Sequence, residues 1–569
     1  MVMMSAKTNL SNWLVLADKG NLQQAMEALS QAIAVNPQDP EAYYGLGIVQ
    51  ARAKLLDEAE ISFRQAIGLK PDFPAALNNL GTLLMNKNSL REAEICFKQA
   101  IELNSQYAEP YGNLGVVFIN ENNLDEAEVC LRQAIDLKTD FVEAYVNLGL
   151  VLKGTNRLEE AEVFLRRAIE INPDYPEAYN NLGLVLKYLY RVDEAEECLR
   201  HALDIRPDYP QANVNLGILL KDSFRLDEAG VCFNKVIDQY PDSVEAEFAQ
   251  AILYLLQGMY DKWWEKYELR YKVFGYYRPE IRHWLGEDLS GCKILLYYEQ
   301  GFGDIIQFIR YAQLVAERAL QTIVWVQKPL QQLLIDSPRN FSIFTGDEIQ
   351  PELYDFACSL LSLPAVFKTT QNTIPRVIPY LQPGRDVSTK WRNILEKTDN
   401  GKGCRIGVVW SGNPNHRNDR NRSIPFDSFR ELFDIADVNW ISLQAGERAW
   451  DLASVASQVL NLTSDLVDFS ETAGIISNLD LVIAVDTAVA HLTGALGKKI
   501  WLLLPFSPDW RWQVKREDSD WYPTMRIFRQ QKTADWSGVL KRVKKAICKK
   551  FLPSLPNIES SKLEEVKSL

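Results

Sequence analysis

The sequence predicts two architectures in one chain: an all-α superhelix of repeated helix pairs, then an α/β pair of Rossmann-like domains. Three observations predict it. Asn-Leu-Gly returns every 34 residues through the first half. Small alanines keep the same period. After about residue 285 that period is lost, and apolar runs of strand length alternate with helical stretches.

The repeats come first. Gly45-Leu46-Gly47 is followed by Asn79-Leu80-Gly81, Asn113-Leu114-Gly115, Asn147-Leu148-Gly149, Asn181-Leu182-Gly183 and Asn215-Leu216-Gly217. Ala59, Ala93, Ala127, Ala161, Ala195 and Ala229 share the period, as do Ala66, Ala100, Ala134, Ala168 and Ala202. In the unit beginning at Pro74, Leu77, Leu80 and Leu84 stripe the first helix, while Ala93, Phe97 and Ala100 stripe the second. Gly81 and Ala93 let the two backbones approach. Pro37, Pro71, Pro173, Pro207 and Pro241 stop one helix before the next begins. One pair cannot bury its apolar face alone, so neighbours stack. The pattern is identified as the tetratricopeptide repeat (TPR) signature. Six clear units span residues 40–241. A weaker one precedes them with Trp13 at the glycine position. A degenerate one follows at about 244–273, where Ala251 replaces the glycine and Trp263 the small alanine.

Asn79, Asn113, Asn147, Asn181 and Asn215 occupy one repeat position. A side-chain amide both donates to and accepts from an extended backbone. A ladder of amides would grip a peptide without reading its sequence; alternatively, Asn is simply the usual residue of this repeat position. Cys96, Cys130, Cys198 and Cys232 also share one position and read as small helix-packing residues.

Composition limits the rest. A chain of 569 residues holds several domains. A net charge of −13 disfavours nonspecific binding to nucleic acid. Eight cysteines without paired C-x-x-C spacing argue against a zinc site and against a secreted disulfide framework. No apolar run approaches the ~20 residues that span a bilayer, and residues 1–10 lack a signal core. The expected address is cytoplasmic, with no transmembrane segment.

In the second half, Lys293-Ile294-Leu295-Leu296-Tyr297-Tyr298 reads as a buried strand, Glu299-Gln300-Gly301-Phe302-Gly303-Asp304 as a turn opening a helix, and Ile323-Val324-Trp325-Val326 as the next strand. The alternation restarts at Arg405-Ile406-Gly407-Val408-Val409-Trp410. It continues through Trp440-Ile441-Ser442-Leu443, Leu481-Val482-Ile483-Ala484-Val485 and Ile500-Trp501-Leu502-Leu503-Leu504. The expected domains are an array at 6–243, a degenerate repeat and linker at 244–292, Rossmann-like domains at 293–400 and 401–552, and a flexible tail at 553–569. Ligands of open parallel sheets bind beyond the carboxyl ends of the strands, where four polar stretches fall.

Gly301 and Gly303 permit close backbone approach. Asp304 is either a general base or an acid stabilising a helix start. Asp486-Thr487-Ala488-Val489-Ala490-His491 opens a helix whose free N–H groups, with the Thr487 hydroxyl, suit a diphosphate. His491 is a ligand or a packing residue. Ser411-Gly412-Asn413-Pro414-Asn415-His416 leads into Arg417, Arg420 and Arg422, and a guanidinium binds phosphate bidentately. Trp510, Trp512, Trp521 and Tyr522 could stack on a base, with packing of a long loop favoured. Asp518 and Asp520 lie in that loop, not after a nucleotide-binding strand, and no metal is expected.

These stretches, in this order, resemble the C-terminal domain of bacterial TPR glycosyltransferases, which is similar to the heptosyltransferase family (glycosyltransferase family 9). The match runs over about residues 284–530. The combination with repeats also resembles protein O-linked N-acetylglucosamine transferases, whose repeats carry an asparagine ladder. The resemblance implies a glycosyltransferase B fold, a nucleotide-sugar donor as substrate, and neither metal nor cofactor. It implies Asp304 as the catalytic residue. It implies donor binding by Arg422, Asp486, Thr487 and His491; the loop readings add Gly301, Gly303, Ser411, Gly412 and Arg417 to the expected donor site, and Asn79, Asn113, Asn147, Asn181 and Asn215 are the expected peptide-binding residues. Ala488 stands where the family has glycine. The expected activity is sugar transfer to an acceptor held by the array, a protein or peptide. The alternatives are a TPR scaffold with a silent transferase-like domain, or transfer to a cell-surface glycan.

Overall fold

A computed structural model describes residues 13–399, 403–416 and 418–551. The start of the expected array, the 553–569 tail and Arg417 lie outside the described residues. The chain forms two compact units, residues 1–216 and 217–569.

The first unit is all-α. Its helices pair as Pro40–Arg52 with Leu56–Leu69, Pro74–Asn86 with Leu90–Leu103, Ala108–Asn120 with Leu124–Leu137, Val142–Gly154 with Leu158–Ile171, and Pro176–Tyr188 with Val192–Ile205. The repeat glycine is where each second helix seats. A Cβ on Gly81 would stand 2.7 Å from Phe97, and one on Gly115 2.7 Å from Leu131. Phe97 and Leu131 are fully buried there, so any side chain at the glycine would overpack the pair. The leading helix Trp13–Asp18 departs from this pattern. Trp13 is buried, with its indole 3.0 Å from where a Gly45 Cβ would stand. It packs with Ala17, Ala25, Leu29 and Val49 in one buried cluster.

The second unit begins within the helix Pro210–Asp222 and continues through Leu226–Gln239, Val244–Leu256 and Tyr260–Tyr267. Within residues 244–292, expected to be a degenerate repeat and linker whose Trp263, Trp264 and Tyr267 pack the last helices onto the second half, Tyr260, Trp264, Tyr267, Trp284 and Leu289 lie in the core of this unit, while Phe274, Tyr277 and Leu285 are exposed. Tyr260, Trp264 and Tyr267 are buried against Trp510 and Trp521, with the Trp264 and Trp510 rings 5.4 Å apart. Trp264 Nε1 donates to the Thr369 carbonyl at 2.8 Å. Three large aromatics on one short helix bury too much area to be left on a linker.

Two parallel sheets follow. The first contains β1 (Lys293–Tyr297), β2 (Gln321–Trp325), β3 (Ser342–Phe344) and β4 (Phe356–Ser359), in the order β3-β2-β1-β4. The second contains β5 (Cys404–Val409), β6 (Val438–Ser442), β7 (Val459–Asn461), β8 (Leu481–Val485), β9 (Ile500–Leu504) and β10 (Met525–Arg529). Its order, β10-β9-β8-β5-β6-β7, is that of a doubly wound dinucleotide-binding sheet, and the first sheet repeats its 3-2-1-4 core. β8 and β9 are buried at every residue, as strands covered on both faces require. Strand order reverses between β1 and β4, and again between β5 and β8, which opens a crevice at each place.

The boundary expected at residue 400 moves. The helix Arg385–Thr398 packs on Phe469–Ser477 of the second sheet's layer. Ser388 and Ser477 hydroxyls lie 2.8 Å apart, and a Cβ on Gly474 would meet Val387 at 2.7 Å. The apolar stripe of this helix, with Trp391 and Leu395 buried, faces the later sheet although it precedes β5 in the chain.

Candidate functional site

The loops after β1, β5, β6, β8 and β9 line one cleft of about 790 Å³. Gly301, Gly303, Asp304, Ser411, Gly412, Arg422, Asp486, Thr487 and His491 all lie on its wall. The two strand-order reversals therefore bring together every described residue expected to touch the donor.

After β1 the chain turns at Gly301 and enters the helix Phe302–Phe308. A Cβ on Gly303 would stand 2.9 Å from the His491 ring and 3.7 Å from the Ala488 Cα. Glycine is needed at this position because a helix of the second half passes against it. Asp304 sits in the first turn but does not cap it. Its carboxylate forms an ion pair with Arg511 instead. Burial pushes the Asp304 carboxyl above its ordinary range, and Arg511 opposes that shift.

After β8, Thr487 is the extended residue before the helix Ala488–Ala495. Ala490 N–H donates to the Thr487 carbonyl at 3.0 Å as the first helical bond. The N–H groups of Ala488 and Val489 precede it and lie on the cleft wall, the arrangement that attracts an anion. Asp486 accepts from Trp512 Nε1 at 2.9 Å. Burial, reinforced by Asp509, raises Asp486 from 3.8 to about 6. His491 shares a 2.9 Å hydrogen bond with the Tyr522 hydroxyl through Nδ1. Burial, with Arg511, Arg310 and Arg422 nearby, holds it well below its ordinary value, so it is neutral.

After β5, Arg422 lies over Gly412, whose Cβ would meet the guanidinium at 2.6 Å. Its Nη1 donates to the Asp486 carbonyl at 3.1 Å, tying the β5 loop to the β8 loop. Ser411 and Gly412 are engaged within their own loop. The Gly412 N–H donates to Ser423 Oγ at 2.9 Å, and the Ser411 hydroxyl to Ser423 Oγ at 3.2 Å. Both residues nevertheless line the cleft beside Asn413, His416, Asn418 and Arg422 of the same loop.

Two contributors escaped the sequence reading. Gln444, after β6, is buried, and its Oε1 accepts from Trp410 N (3.2 Å) and Ser411 N (3.0 Å). Its Nε2 donates to the Ser411 and Ala445 carbonyls, each at 3.1 Å. One amide therefore staples the β5 loop to the β6 loop. Arg511 lies in the aromatic loop read as packing. An arginine between two buried tryptophans must find carboxylates, and that was the available signal. The packing reading holds for the rings: Trp510, Trp512, Trp521 and Tyr522 are buried and present no stacking face to a base. Asp518 pairs with Arg516 at 2.8 Å, and Asp520 also pairs with Arg516. No group of metal-ligating side chains occurs among the described residues.

The asparagine ladder is partly spent between repeats. Asn79 Nδ2 donates to the Tyr44 hydroxyl at 3.1 Å, Asn113 Nδ2 to Asn78 Oδ1 at 3.0 Å, and Asn215 Nδ2 to Asn180 Oδ1 at 2.8 Å. Asn181 accepts from Asn180 at 3.5 Å. All five ladder residues, Asn147 included, are half-buried.

The Asp486 shift yields a stability prediction. The folded chain takes up this proton more readily than the unfolded one. Ionisation therefore costs the folded state about 3 kcal/mol above pH 6, and nothing below the unfolded value of 3.8. Asp486→Asn keeps an acceptor for Trp512 and removes that cost. It should be more stable than the parent by up to about 3 kcal/mol at pH 7, with the gain shrinking toward pH 4. Urea denaturation at pH 4, 5.5 and 7 measures this; a gain that does not change with pH contradicts it.

A protein of Caulobacter vibrioides, FlbA, is 24% identical over 332 residues, 53% of this chain and 54% of that protein. The chain thus spans about half the length of this curated relative. A crystal structure of YrrB, a TPR protein with an unusual peptide-binding site, is 25% identical and covers 33% of this chain and 96% of its own, with a TM-score of 0.28. Pseudomonas aeruginosa pilF is 20% identical and covers 37% and 96%, with a TM-score of 0.34. No helix among the described residues is long and apolar enough to cross a membrane. Tetratricopeptide repeat models match residues 40–73, 74–107, 108–141 and 177–206, and TPR repeat models match 14–53 and 153–188: the N-terminal half carries TPR repeats.

Proposed function

We propose that the second unit is a glycosyltransferase of the B fold type. It moves a sugar from a nucleotide-sugar donor to an acceptor recruited by the TPR array, a protein foremost. The observation that carries this reading is the meeting of Asp304, Arg422 and the helix start after Thr487 on one cleft, at the strand-order reversals of two parallel sheets. In this reading Arg422 and the Ala488 and Val489 N–H groups hold the diphosphate. The acceptor oxygen bonds to the anomeric carbon and its proton passes to Asp304. The bond from that carbon to the diphosphate breaks, and the departing charge rests on Arg422 and the helix start.

A panel of nucleotide sugars, scored for hydrolysis and for transfer to protein and glycan acceptors side by side, tests the reading. Arg422→Ala should weaken nucleoside diphosphate binding by roughly 10- to 150-fold and leave nucleoside binding unchanged. Calorimetry with both ligands measures this, and equal loss for the two contradicts a phosphate role. For the array, replacing Asn113, Asn147 and Asn181 with Ala should raise KM for a polypeptide acceptor and leave donor hydrolysis alone. Unmoved acceptor kinetics in a helical triple variant would reduce the ladder to repeat-to-repeat bonding.

A second reading is a protein-binding scaffold with a silent cleft. It is favoured by the Gly412 N–H already bonded to Ser423 and by Asp304 already paired with Arg511. Failure of every nucleoside diphosphate to raise the melting temperature would select it.

A further inference from the structure

We propose that Arg511 is the positioning residue of the cleft: it holds the Asp304 carboxylate ionised and turned for the acceptor hydroxyl, which rests on the reading of Asp304 as the proton acceptor. The geometry is a fork with every tine used. Arg511 stands on the short turn Trp510–Trp512 after β9, with its side chain 9% exposed. Nε donates to Gln307 Oε1 at 2.8 Å, Nη1 pairs with Asp509 Oδ1 at 2.9 Å, and Nη2 pairs with Asp304 Oδ1. Asp509 also accepts from the Arg511 backbone N–H at 3.0 Å, which fixes the turn that presents the guanidinium. The Trp510 ring lies 4.7 Å from the guanidinium carbon and the Phe308 ring 5.6 Å. A planar cation clamped in this way cannot swing off without leaving a buried charge unpaired.

The consequence falls on Asp304. Arg511 engages Oδ1, and the other oxygen lies on the Gly301 side of the carboxylate. The charged and titratable groups facing Asp304 are Arg511 and Asp509 from the β9 loop, Glu299 from its own loop, and Tyr267 from the helix Tyr260–Tyr267. Asp486 and the neutral His491 lie elsewhere on the same wall. Two of these groups are carboxylates that disfavour ionised Asp304, and burial acts the same way. Arg511 is the cation among them. Its removal should raise the Asp304 carboxyl further, toward the protonated form that accepts no proton.

The test uses the full chain labelled with ¹³C at aspartate carboxyl carbons, with D304N identifying the Asp304 signal. In R511Q the midpoint of that signal should rise by about 1–3 pH units, while R511K stays within about one unit of the parent. Calorimetry with UDP and GDP should show affinities of R511Q within about threefold of the parent. With an active donor, the acid limb of kcat/KM moves with the carboxyl midpoint, a displacement that mere structural damage does not produce. An unmoved Asp304 midpoint in R511Q overturns the proposal. So does a tenfold or greater loss of UDP or GDP affinity with the midpoint unmoved, which would make Arg511 a phosphate ligand. If R511Q does not fold, R511M, which keeps an apolar stem between Trp510 and Phe308, decides by the same criterion: its Asp304 midpoint should rise by about 1–3 pH units, and no rise overturns the proposal. If the parent binds no nucleoside diphosphate of a panel covering all the common bases, the transferase reading fails on that ground, while the Asp304 titration still decides what Arg511 does.

Discussion

Asp304→Asn is expected to bind nucleoside diphosphates as the parent does and to turn over a productive nucleotide-sugar donor about 10²–10⁴-fold more slowly. Asp304 is three residues past Gly301, in the first turn of a helix that enters the cleft beyond β1. Its carboxylate is engaged by Arg511 and caps nothing, so its acidity is set for something other than helix stability. Asparagine preserves the shape and an oxygen for Arg511 but takes no proton. It also breaks a shielded ion pair, which carries its own penalty in stability. The two effects separate by measurement. A melting curve with and without nucleoside diphosphate reports whether the cleft is intact, and steady-state transfer reports the lost proton acceptor. Turnover near the parent's, in a folded variant with an established acceptor, would remove Asp304 from the chemistry.

Trp264→Ala is expected to destabilise the second unit by about 3–5 kcal/mol. The indole is buried against Tyr260, Tyr267 and Trp510, and its Nε1 donates to the Thr369 carbonyl. Alanine leaves both a void and an unpaired carbonyl. Because Trp510 is adjacent to Arg511, the loss should also loosen the turn that presents the guanidinium to Asp304. Urea denaturation of the full chain, followed by near-UV circular dichroism, measures the first effect. A change below about 1 kcal/mol would return residues 244–292 to the status of a linker.

Much of this was legible in the sequence because it is local or periodic. A 34-residue repeat writes its glycine, its alanines and its terminal prolines into every copy. β8 and β9 are unbroken apolar runs, and β1 and β5 are apolar over their last residues. The edge strands β3 and β7, three residues each, are too short to rise above their surroundings. β4 and β10 also went unread. The cleft residues Asp304, Arg422 and Asp486 stood out because a polar residue just past a buried strand has few structural reasons to be there. Ser411 and Gly412 met the same criterion and proved to be bonded within their own loop. A loop sequence does not say which of its donors are already satisfied.

By itself, then, the sequence determined the helix pairs of the first unit, the parallel-strand character of the second, and three of the loops that line the cleft, those after β1, β5 and β8. Each of these follows from the spacing of apolar and small residues over a few turns or strands. Only the tertiary structure decided which side chains meet. Arg511 finds Asp304 from 207 residues away, Gln444 closes the β5 loop from 33 residues downstream, and Trp264 reaches Thr369 across 105. It also decided that the helix Arg385–Thr398 serves the second sheet and that Tyr260 joins Trp264 and Tyr267 in the core. The physical reason is common to all of them. A partner far along the chain leaves no periodic imprint; burial demands only that a charge, an amide or an indole be satisfied, and the fold alone selects by whom.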